Sequence, residues 1–220
     1  MFRFEKMGNS LKNAHLAVGI RRAGNSSQQW LARRLADPYI VKTKLSSYRC
    51  RSAFKLKEIN DKFKILKPGD IIVDCGASPG SWVQIAAAET NSNGSKLNIP
   101  IGKVIGVDLN HIHPIPGAVL IGGVDFTEEK TKKNIADLLG GRRVNCFISD
   151  MAPKATGIKS LDQEAITKLI GSVLRFAVLL SAENGHLLIK VWDNSSVSLI
   201  EKTMTKYYKL VKRVKPLSSR

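Results

Sequence analysis

The sequence predicts an α/β protein built on a doubly wound, mostly parallel sheet. Short apolar runs alternate with amphipathic helical patterns along most of the chain, and this alternation is typical of strands joined by helices that cover both faces of one sheet. Several apolar runs end in an aspartate, as at Asp74, Asp108 and Asp150, at the edge where such folds bind their ligands. The length of 220 residues suits one globular domain.

The predicted elements follow one another closely. A first helix begins at the capping candidates Ser26 and Ser27 and closes at Pro38. A second helix covers 51–63, where apolar residues recur three or four positions apart. The remaining patterns predict strands over 71–73, 104–107, 119–121, 144–148, 187–191 and 209–214, with helices over 82–88, 127–140, 161–180 and 199–207. No apolar run is long enough to span a bilayer.

Positive charge dominates the composition and is concentrated near the start of the chain. The sequence holds 35 Lys and Arg against 18 Asp and Glu, a formal net charge of +17. The first 67 residues contain 16 of the basic residues and only 4 of the acidic ones. A basic block of this kind is typical of proteins that bind a phosphate backbone. Ordinary solvated lysines and a targeting segment are the alternative explanations.

Residues 1–24 are assigned to a segment outside the folded domain, which we expect to cover 25–220. The segment contains five basic residues and the single acid Glu5, and it lacks the continuous apolar stretch of a secretory signal. This pattern favours a mitochondrial transit peptide. A basic RNA-binding arm has the same composition and remains the alternative.

The histidines and cysteines do not indicate a metal site. His111 and His113 form the only close histidine pair, and a loop at a strand end is the better interpretation for them. Three cysteines without a C-x-x-C pair suggest a reducing compartment, with Cys75 and Cys146 as buried apolar residues.

The loop 74–82 follows the first strand of the regular α/β alternation, where glycines allow a ligand to approach the backbone. It lacks the G-x-G-x-x-G spacing of dinucleotide sites, and Pro79 removes one amide donor that could hold a pyrophosphate. A small ligand carrying an amino group and a carboxylate therefore fits better than NAD. A tight turn without a ligand is the alternative.

Acids at strand ends and one lysine within a strand are candidate functional residues. Asp108 and Asp125 could accept hydrogen bonds from ribose hydroxyls and an adenine amino group, or could simply organise turns. Asp150 precedes a proline-containing loop, a common location for catalytic groups. Lys190 lies in an apolar strand, where an ammonium group needs a partner. Lys55 lies off the apolar stripe of its helix, and on its own would be interpreted as a surface lysine near Glu58.

Taken together, the motifs resemble those of the FtsJ-type (RrmJ-like) ribosomal RNA 2′-O-ribose methyltransferases. The match covers nearly everything after about Ser26, and 49–54 and 111–117 look most like the mitochondrial branch of that family. The matching pieces are 51–56, 74–82, 106–109, 124–126, 149–153, 189–191, 215–216 and 218–220.

The resemblance implies a class I, Rossmann-like methyltransferase that uses S-adenosylmethionine and needs no metal. It places the methionine part of the cofactor against Pro79, Gly80, Ser81 and Trp82, its ribose at Asp108, its adenine at Asp125 and its methyl group beside Asp150. Lys190 is implied to act on the 2′-hydroxyl, with Lys55 and Asp150 assisting.

The implied substrate is a uridine in large-subunit ribosomal RNA, free or in a pre-ribosomal particle. Lys42, Lys44, Arg49, Arg51, Lys57 and Lys64 could neutralise its phosphates. We expect a monomer that acts in the mitochondrial matrix.

The sequence departs from the family pattern at its C-terminus. The family continues past Ser218-Ser219-Arg220 with a glutamate, its fourth catalytic residue, and with a final strand beside the fifth. We therefore expect that strand to be missing and its neighbours to have unpaired backbone edges. Either the sequence is truncated, or the chain is a catalytically impaired, RNA-binding ribosome-assembly factor on the same fold. An NAD-dependent oxidoreductase is a third possibility, disfavoured by the loop spacing.

Overall fold

The computed structural model describes residues 12–19, 37–153, 156–192 and 197–219. The first predicted helix, from Ser26 to Pro38, lies almost wholly outside these residues. The strands are β1 (Lys12–Gly19), β2 (Ile71–Cys75), β3 (Lys103–Asp108), β4 (Ala118–Gly122), β5 (Val144–Ser149), β6 (Ser181–Trp192) and β7 (Tyr208–Val214). The helices are α1 (Pro38–Leu45), α2 (Ala53–Phe63), α3 (Ser81–Thr90), α4 (Glu129–Leu139), α5 (Lys159–Leu180) and α6 (Val197–Met204).

The strands form one seven-stranded sheet in the order β4-β3-β2-β5-β6-β1-β7, and every recorded pair is parallel. Because all the strands run the same way, their carboxyl ends meet at one edge of the sheet. The prediction of a doubly wound, mostly parallel sheet is confirmed.

Helices cover both faces of the sheet, and each face has its own apolar core. Residues of α2 and α3, such as Leu56 and Val83, pack on one face against Ile72 and Ile148. On the other face, residues of α4, α5 and α6 pack against alternate residues of the same strands, including Phe147. Cys75 and Cys146 are buried, as expected. Within the described residues, no helix is both long and apolar enough to cross a membrane.

The position of β1 differs from the sequence-based expectation. Residues 12–19 were assigned to a segment outside the domain, but they pair with β6 on one side and with β7 on the other. The basic composition of 1–24 obscured the pattern of a strand. The basic residues flank a nearly continuous apolar run over 14–19. Such a run is typical of a parallel strand that is buried on both faces.

β1 also supplies a hydrogen-bonding partner to strand edges that were expected to have none. The edges of β6 and β7 were predicted to be unpaired. Instead, Asn13 to Gly19 lie opposite His186 to Trp192 on β6, and Asn13 to Ala17 lie opposite Leu210 to Val214 on β7. That prediction was wrong because it considered only strands following Arg220 as candidates for this position. The assignment of 1–24 as a transit segment or arm stays a prediction.

Candidate active site

A carboxylate and two lysines meet at the carboxyl ends of β5 and β6. Asp150 directly follows β5, Lys190 lies in the last part of β6, and Lys55 projects from the first turn of α2. The Nζ of Lys190 is 3.0 Å from the Asp150 Oδ1, and the Nζ of Lys55 is 3.6 Å from the same oxygen. The three side chains are only 17–22% exposed. The structure thus brings together the three residues that the resemblance implied to be catalytic.

The partner of Lys55 is Asp150 and not Glu58, the neighbour suggested by the sequence alone. Glu58 accepts a hydrogen bond from the Tyr39 hydroxyl (3.1 Å) and one from the Ser218 amide (3.3 Å). Lys190 is also fixed through the backbone, because its Nζ donates to the carbonyl oxygen of Asp150.

Asp150 is an ionised group in this environment. Burial raises its pKa, but the positive charges of Lys190 and Lys55 and a hydrogen bond from Ser52 more than offset this, so that the pKa lies below its usual range. The carboxylate therefore carries a negative charge at neutral pH, which compensates one of the two adjacent ammonium groups.

Asp108, at the end of β3, organises the loop after β2. Its Oδ2 accepts a hydrogen bond from the Ser78 amide (2.9 Å), and its Oδ1 accepts from the amide (2.7 Å) and the side chain (3.0 Å) of Asn110. The amides of Gly76 and Ala77 both donate to the carbonyl oxygen of Val107 (2.8 and 3.0 Å). Three successive amides of this loop are thus engaged within the protein.

Asp125 similarly starts the turn into α4. Its Oδ1 accepts hydrogen bonds from the amide and the hydroxyl of Thr127, each at 2.7 Å. Both interpretations of these two aspartates therefore remain compatible with the geometry: each organises a turn, and each lines the cavity described next.

A cavity of about 1010 Å³ opens at this edge of the sheet. Asp108, Asp125 and Asp150 contribute three carboxylates to its wall, and Gly76 and Ser78 contribute the loop after β2. The other lining residues come from the ends of β3 and β5, the start of α4 and one face of α5: Val107, Leu109, Asn110, Phe126, Thr127, Glu129, Lys132, Met151, Ala152, Pro153, Ala165, Lys168, Leu169, Ser172 and Arg175.

The segment Pro79–Trp82 does not line this cavity, in contrast to the role implied by the resemblance. Ser81 and Trp82 are buried, each 3% exposed, and Gly80 packs so closely that a Cβ atom there would lie 2.6 Å from Ile115. These residues turn the chain from β2 into α3, while the cavity side of the loop is formed by Gly76 and Ser78.

The short segment 49–52 connects several parts of the site. Arg49 donates to the carbonyl oxygens of Pro79 (2.8 Å), His113 and Pro114 (both 2.7 Å). The Arg51 guanidinium pairs with Asp37 and donates to the carbonyl oxygen of Ser218. Both arginines were expected to contact RNA phosphates, but in this structure their guanidinium groups hold loops together.

The other basic residues proposed for RNA binding lie along α1 and α2. Lys42 stands over the ring of Tyr39 at 5.2 Å, and Lys57 forms an ion pair with Asp61 at 3.6 Å. Lys64 is exposed at the end of α2, and Lys44 belongs to α1. Lys55, on the same helix as Lys57, belongs to the lysine–aspartate cluster.

The family assignment follows from a comparison with known protein families. The model of the FtsJ-like methyltransferases matches residues 48–220, which include every residue of the lysine–aspartate cluster. The chain belongs to the FtsJ-like methyltransferase family. The prediction of a methyltransferase is thereby confirmed, together with the resemblance carried by the sequence motifs.

Two sequence relatives match this chain along most of their length. The Drosophila melanogaster protein named mitochondrial rRNA methyltransferase 2 is 54% identical over 195 residues, which cover 89% of this chain and 78% of that protein. The ribosomal RNA large subunit methyltransferase E of Cereibacter sphaeroides is 39% identical over 195 residues, 89% of this chain and 79% of that protein.

The fold agrees with that of a solved structure. A crystal structure described as a ribosomal RNA methyltransferase of Plasmodium falciparum superimposes with a TM-score of 0.64 at 25% identity. The match covers 72% of this chain and 86% of that one.

Sequence reasoning did not assign a role to three residues that contact the site. Ser52 donates to Asp150, while Gly76 and Ser78 line the cavity. Gly76 and Ser78 lie within the loop 74–82, which the sequence already indicates as a candidate ligand-binding loop. The contact of Ser52 could not be predicted in this way, because it joins two segments far apart in the sequence.

Proposed function

We propose that this FtsJ-like methyltransferase transfers the methyl group of S-adenosylmethionine to the ribose 2′-hydroxyl of a uridine in large-subunit ribosomal RNA. The observation that carries the proposal is the cluster of Lys55, Asp150 and Lys190 beside a cavity whose wall includes Asp150. The names of the two sequence relatives support ribosomal RNA as the substrate.

The cellular location proposed is the mitochondrial matrix. The Drosophila relative carries a mitochondrial name, and residues 1–24 have the basic, acid-poor composition of a transit peptide. We further propose that the chain acts as a monomer.

The cavity suits S-adenosylmethionine better than a dinucleotide. The carboxylates of Asp108, Asp125 and Asp150 in its wall can accept hydrogen bonds from ribose hydroxyls, an adenine amino group and an ammonium group. A pyrophosphate needs free amide donors, whereas the amides of Gly76, Ala77 and Ser78 already donate to protein oxygens. These contacts disfavour NAD, in agreement with the loop spacing.

The cluster can align the hydroxyl and hold its proton. When bound, S-adenosylmethionine would supply an electrophilic methyl group for in-line attack by the 2′-oxygen, with the electron pair of the broken carbon–sulfur bond staying on sulfur. Lys190 can receive the hydroxyl proton at its Nζ once its ammonium group has itself released a proton. Asp150 fixes this Nζ by its side chain and its backbone oxygen, so that the lysine does not have to be ordered during the reaction. Lys55 adds a second positive charge near the reacting hydroxyl.

The proposal is tested by methyl transfer from labelled S-adenosylmethionine to large-subunit ribosomal RNA. The product is identified by the resistance of the adjacent phosphodiester bond to alkali, which a free 2′-hydroxyl would cleave. We expect Lys190→Ala to lower kcat by at least about 100-fold, since a positioned proton acceptor contributes roughly that much. Cofactor binding by calorimetry should be unchanged.

Lys206→Ala removes an exposed lysine beyond α6 and serves as the matched control, with wild-type transfer expected. Wild-type activity in Lys190→Ala would contradict the assigned role. If the unaltered chain binds RNA and cofactor but transfers no methyl group, the alternative of a catalytically impaired ribosome-assembly factor is favoured.

A further inference from the structure

Ser52 occupies the capping position of α2 without capping the helix. A serine in this position ordinarily accepts a hydrogen bond from one of the first free amides of the helix. In this chain the residue has helical backbone angles (φ −60°, ψ −24°), and its side chain makes no capping bond. Its hydroxyl donates instead to the Oδ2 of Asp150. The Ser52 hydroxyl thus contacts Asp150 instead of capping its own helix.

The two oxygens of Asp150 have separate partners, and the start of α2 supplies one partner to each oxygen. Oδ2 accepts from Ser52, while Oδ1 faces the Nζ atoms of Lys190 at 3.0 Å and Lys55 at 3.6 Å. Ser52 and Lys55 are three positions apart and therefore lie on the same side of the helix. Side chains from one helical turn thus contact both oxygens of the carboxylate.

The backbone of Ser52 is itself held firmly. The indole Nε1 of Trp82, which is 3% exposed, donates to the Ser52 carbonyl oxygen at 2.8 Å. This bond ties the start of α2 to α3 and does not depend on the serine side chain. The hydroxyl is therefore a fixed point from which the carboxylate can be oriented.

We propose that Ser52 is a positioning residue that fixes the rotation of the Asp150 carboxylate, so that Oδ1 stays between Lys190 and Lys55. Without such a contact, the χ2 angle of an aspartate, which sets the rotation of its carboxylate, has a broad distribution. A rotated carboxylate would pair with only one of the lysines and would leave Lys190 less well aligned. This inference rests on the proposed function, in which the cluster is the catalytic centre.

The test compares Ser52→Ala with Ser52→Thr. Alanine removes the hydroxyl but no capping bond, and it keeps the backbone oxygen that receives Trp82. Threonine keeps a hydroxyl on the Cβ atom. We expect kcat of Ser52→Ala to fall roughly three- to tenfold, in proportion to the loss of one hydrogen bond, with KM for S-adenosylmethionine unchanged. Ser52→Thr should restore most of the loss.

The pH profile separates positioning from a general structural effect. The Ser52 hydrogen bond contributes to the lowered pKa of Asp150, so the limb of the kcat profile that reports the protonation of Asp150 should move to higher pH in Ser52→Ala. Ser181→Ala, a buried serine at the opposite end of β6 that donates to Ala177, is the matched control and should leave the profile unchanged.

A second readout does not require activity. The ¹³C signal of the Asp150 carboxyl, assigned with Asp150→Asn, is titrated in the wild type and in Ser52→Ala. A higher pKa of Asp150 in Ser52→Ala supports the proposal even if the wild type transfers no methyl group, which would be a failure of the proposed function alone. Identical titration curves in the two proteins would overturn the inference.

Discussion

At the scale of single residues, the loop after β2 depends on a glycine at position 76. Gly76 has a φ of +84°, and a Cβ atom added there would lie 1.9 Å from the Cγ of Met151. Met151 directly follows Asp150, so the absence of a side chain at Gly76 allows the loops after β2 and β5 to pack together beside the cavity.

Gly76→Ala should therefore be more harmful than a glycine substitution that only strains the backbone. Gly123 has a similar φ of +76° with nothing within 4 Å of its Cβ position, so Gly123→Ala is the matched control. We expect Gly76→Ala to lower the free energy of unfolding by about 1–3 kcal/mol more than Gly123→Ala, measured by urea denaturation. It should also weaken S-adenosylmethionine binding.

Relief of the overlap should reverse the effect. A double variant, Gly76→Ala with Met151→Ala, should recover part of the extra loss if the contact with Met151 is its cause. Equal losses in the two single glycine variants would contradict this explanation.

At the scale of elements, β1 is the link between β6 and β7. No pairing between β6 and β7 is recorded in the described sheet, where β1 lies between them. Lys190 lies in β6 directly opposite Ala17, so the strand that carries the proposed catalytic lysine is held on one side by β1.

Two truncations test this role. A chain beginning at Lys12 keeps every described pairing of β1, whereas a chain beginning at residue 20 loses all of them. We expect the shorter chain to unfold at a clearly lower temperature, or to aggregate through the exposed edges of β6 and β7. Equal melting temperatures of the two chains, measured by circular dichroism, would show that the strand contributes little.

At the scale of the whole molecule, charge and burial together predict acid sensitivity. The chain carries a net charge of +17, and protonation of carboxylates at low pH increases its self-repulsion. In the sheet, His15 is 3% exposed, and its ring lies 4.6 Å from that of Phe63 and 6.0 Å from that of His186. Burial, then His186 and Lys212, lower the pKa of His15 to about 4.

The unfolded chain takes up a proton at this histidine near pH 6.5, whereas the folded chain does so only near 4. The folded state should therefore lose up to about 3 kcal/mol as the pH falls through this interval. His15→Phe should flatten the decline measured by urea denaturation between pH 7 and 4.5. His113→Gln, which alters an exposed loop histidine, should leave it unchanged. An equally steep decline in His15→Phe would exclude the histidine as the source.

Local patterns predicted most of the α/β alternation, because each strand from β2 to β7 has a compact apolar run and ends near a polar or glycine-containing loop. They failed for β1, whose apolar run lies inside a basic segment and whose partners are distant in sequence. The resemblance singled out the three residues of the lysine–aspartate cluster. Its hydrogen bond from Ser52, and the use of Arg49 and Arg51 as internal ties, depend on contacts between distant segments that no local pattern encodes.

The place of β1 in the sheet has a consequence for the order of folding. Among the described strands, β1 comes first in the sequence and pairs with β6 and β7, the last two, so this part of the sheet cannot form until both have been synthesised. Contacts between such distant segments slow folding and leave strand edges exposed in the meantime. If the chain is imported into mitochondria, a protease that cuts after residue 19 would remove this strand, whereas a cut before residue 12 would preserve it. The position of the cleavage site would then determine whether the imported protein can complete its sheet.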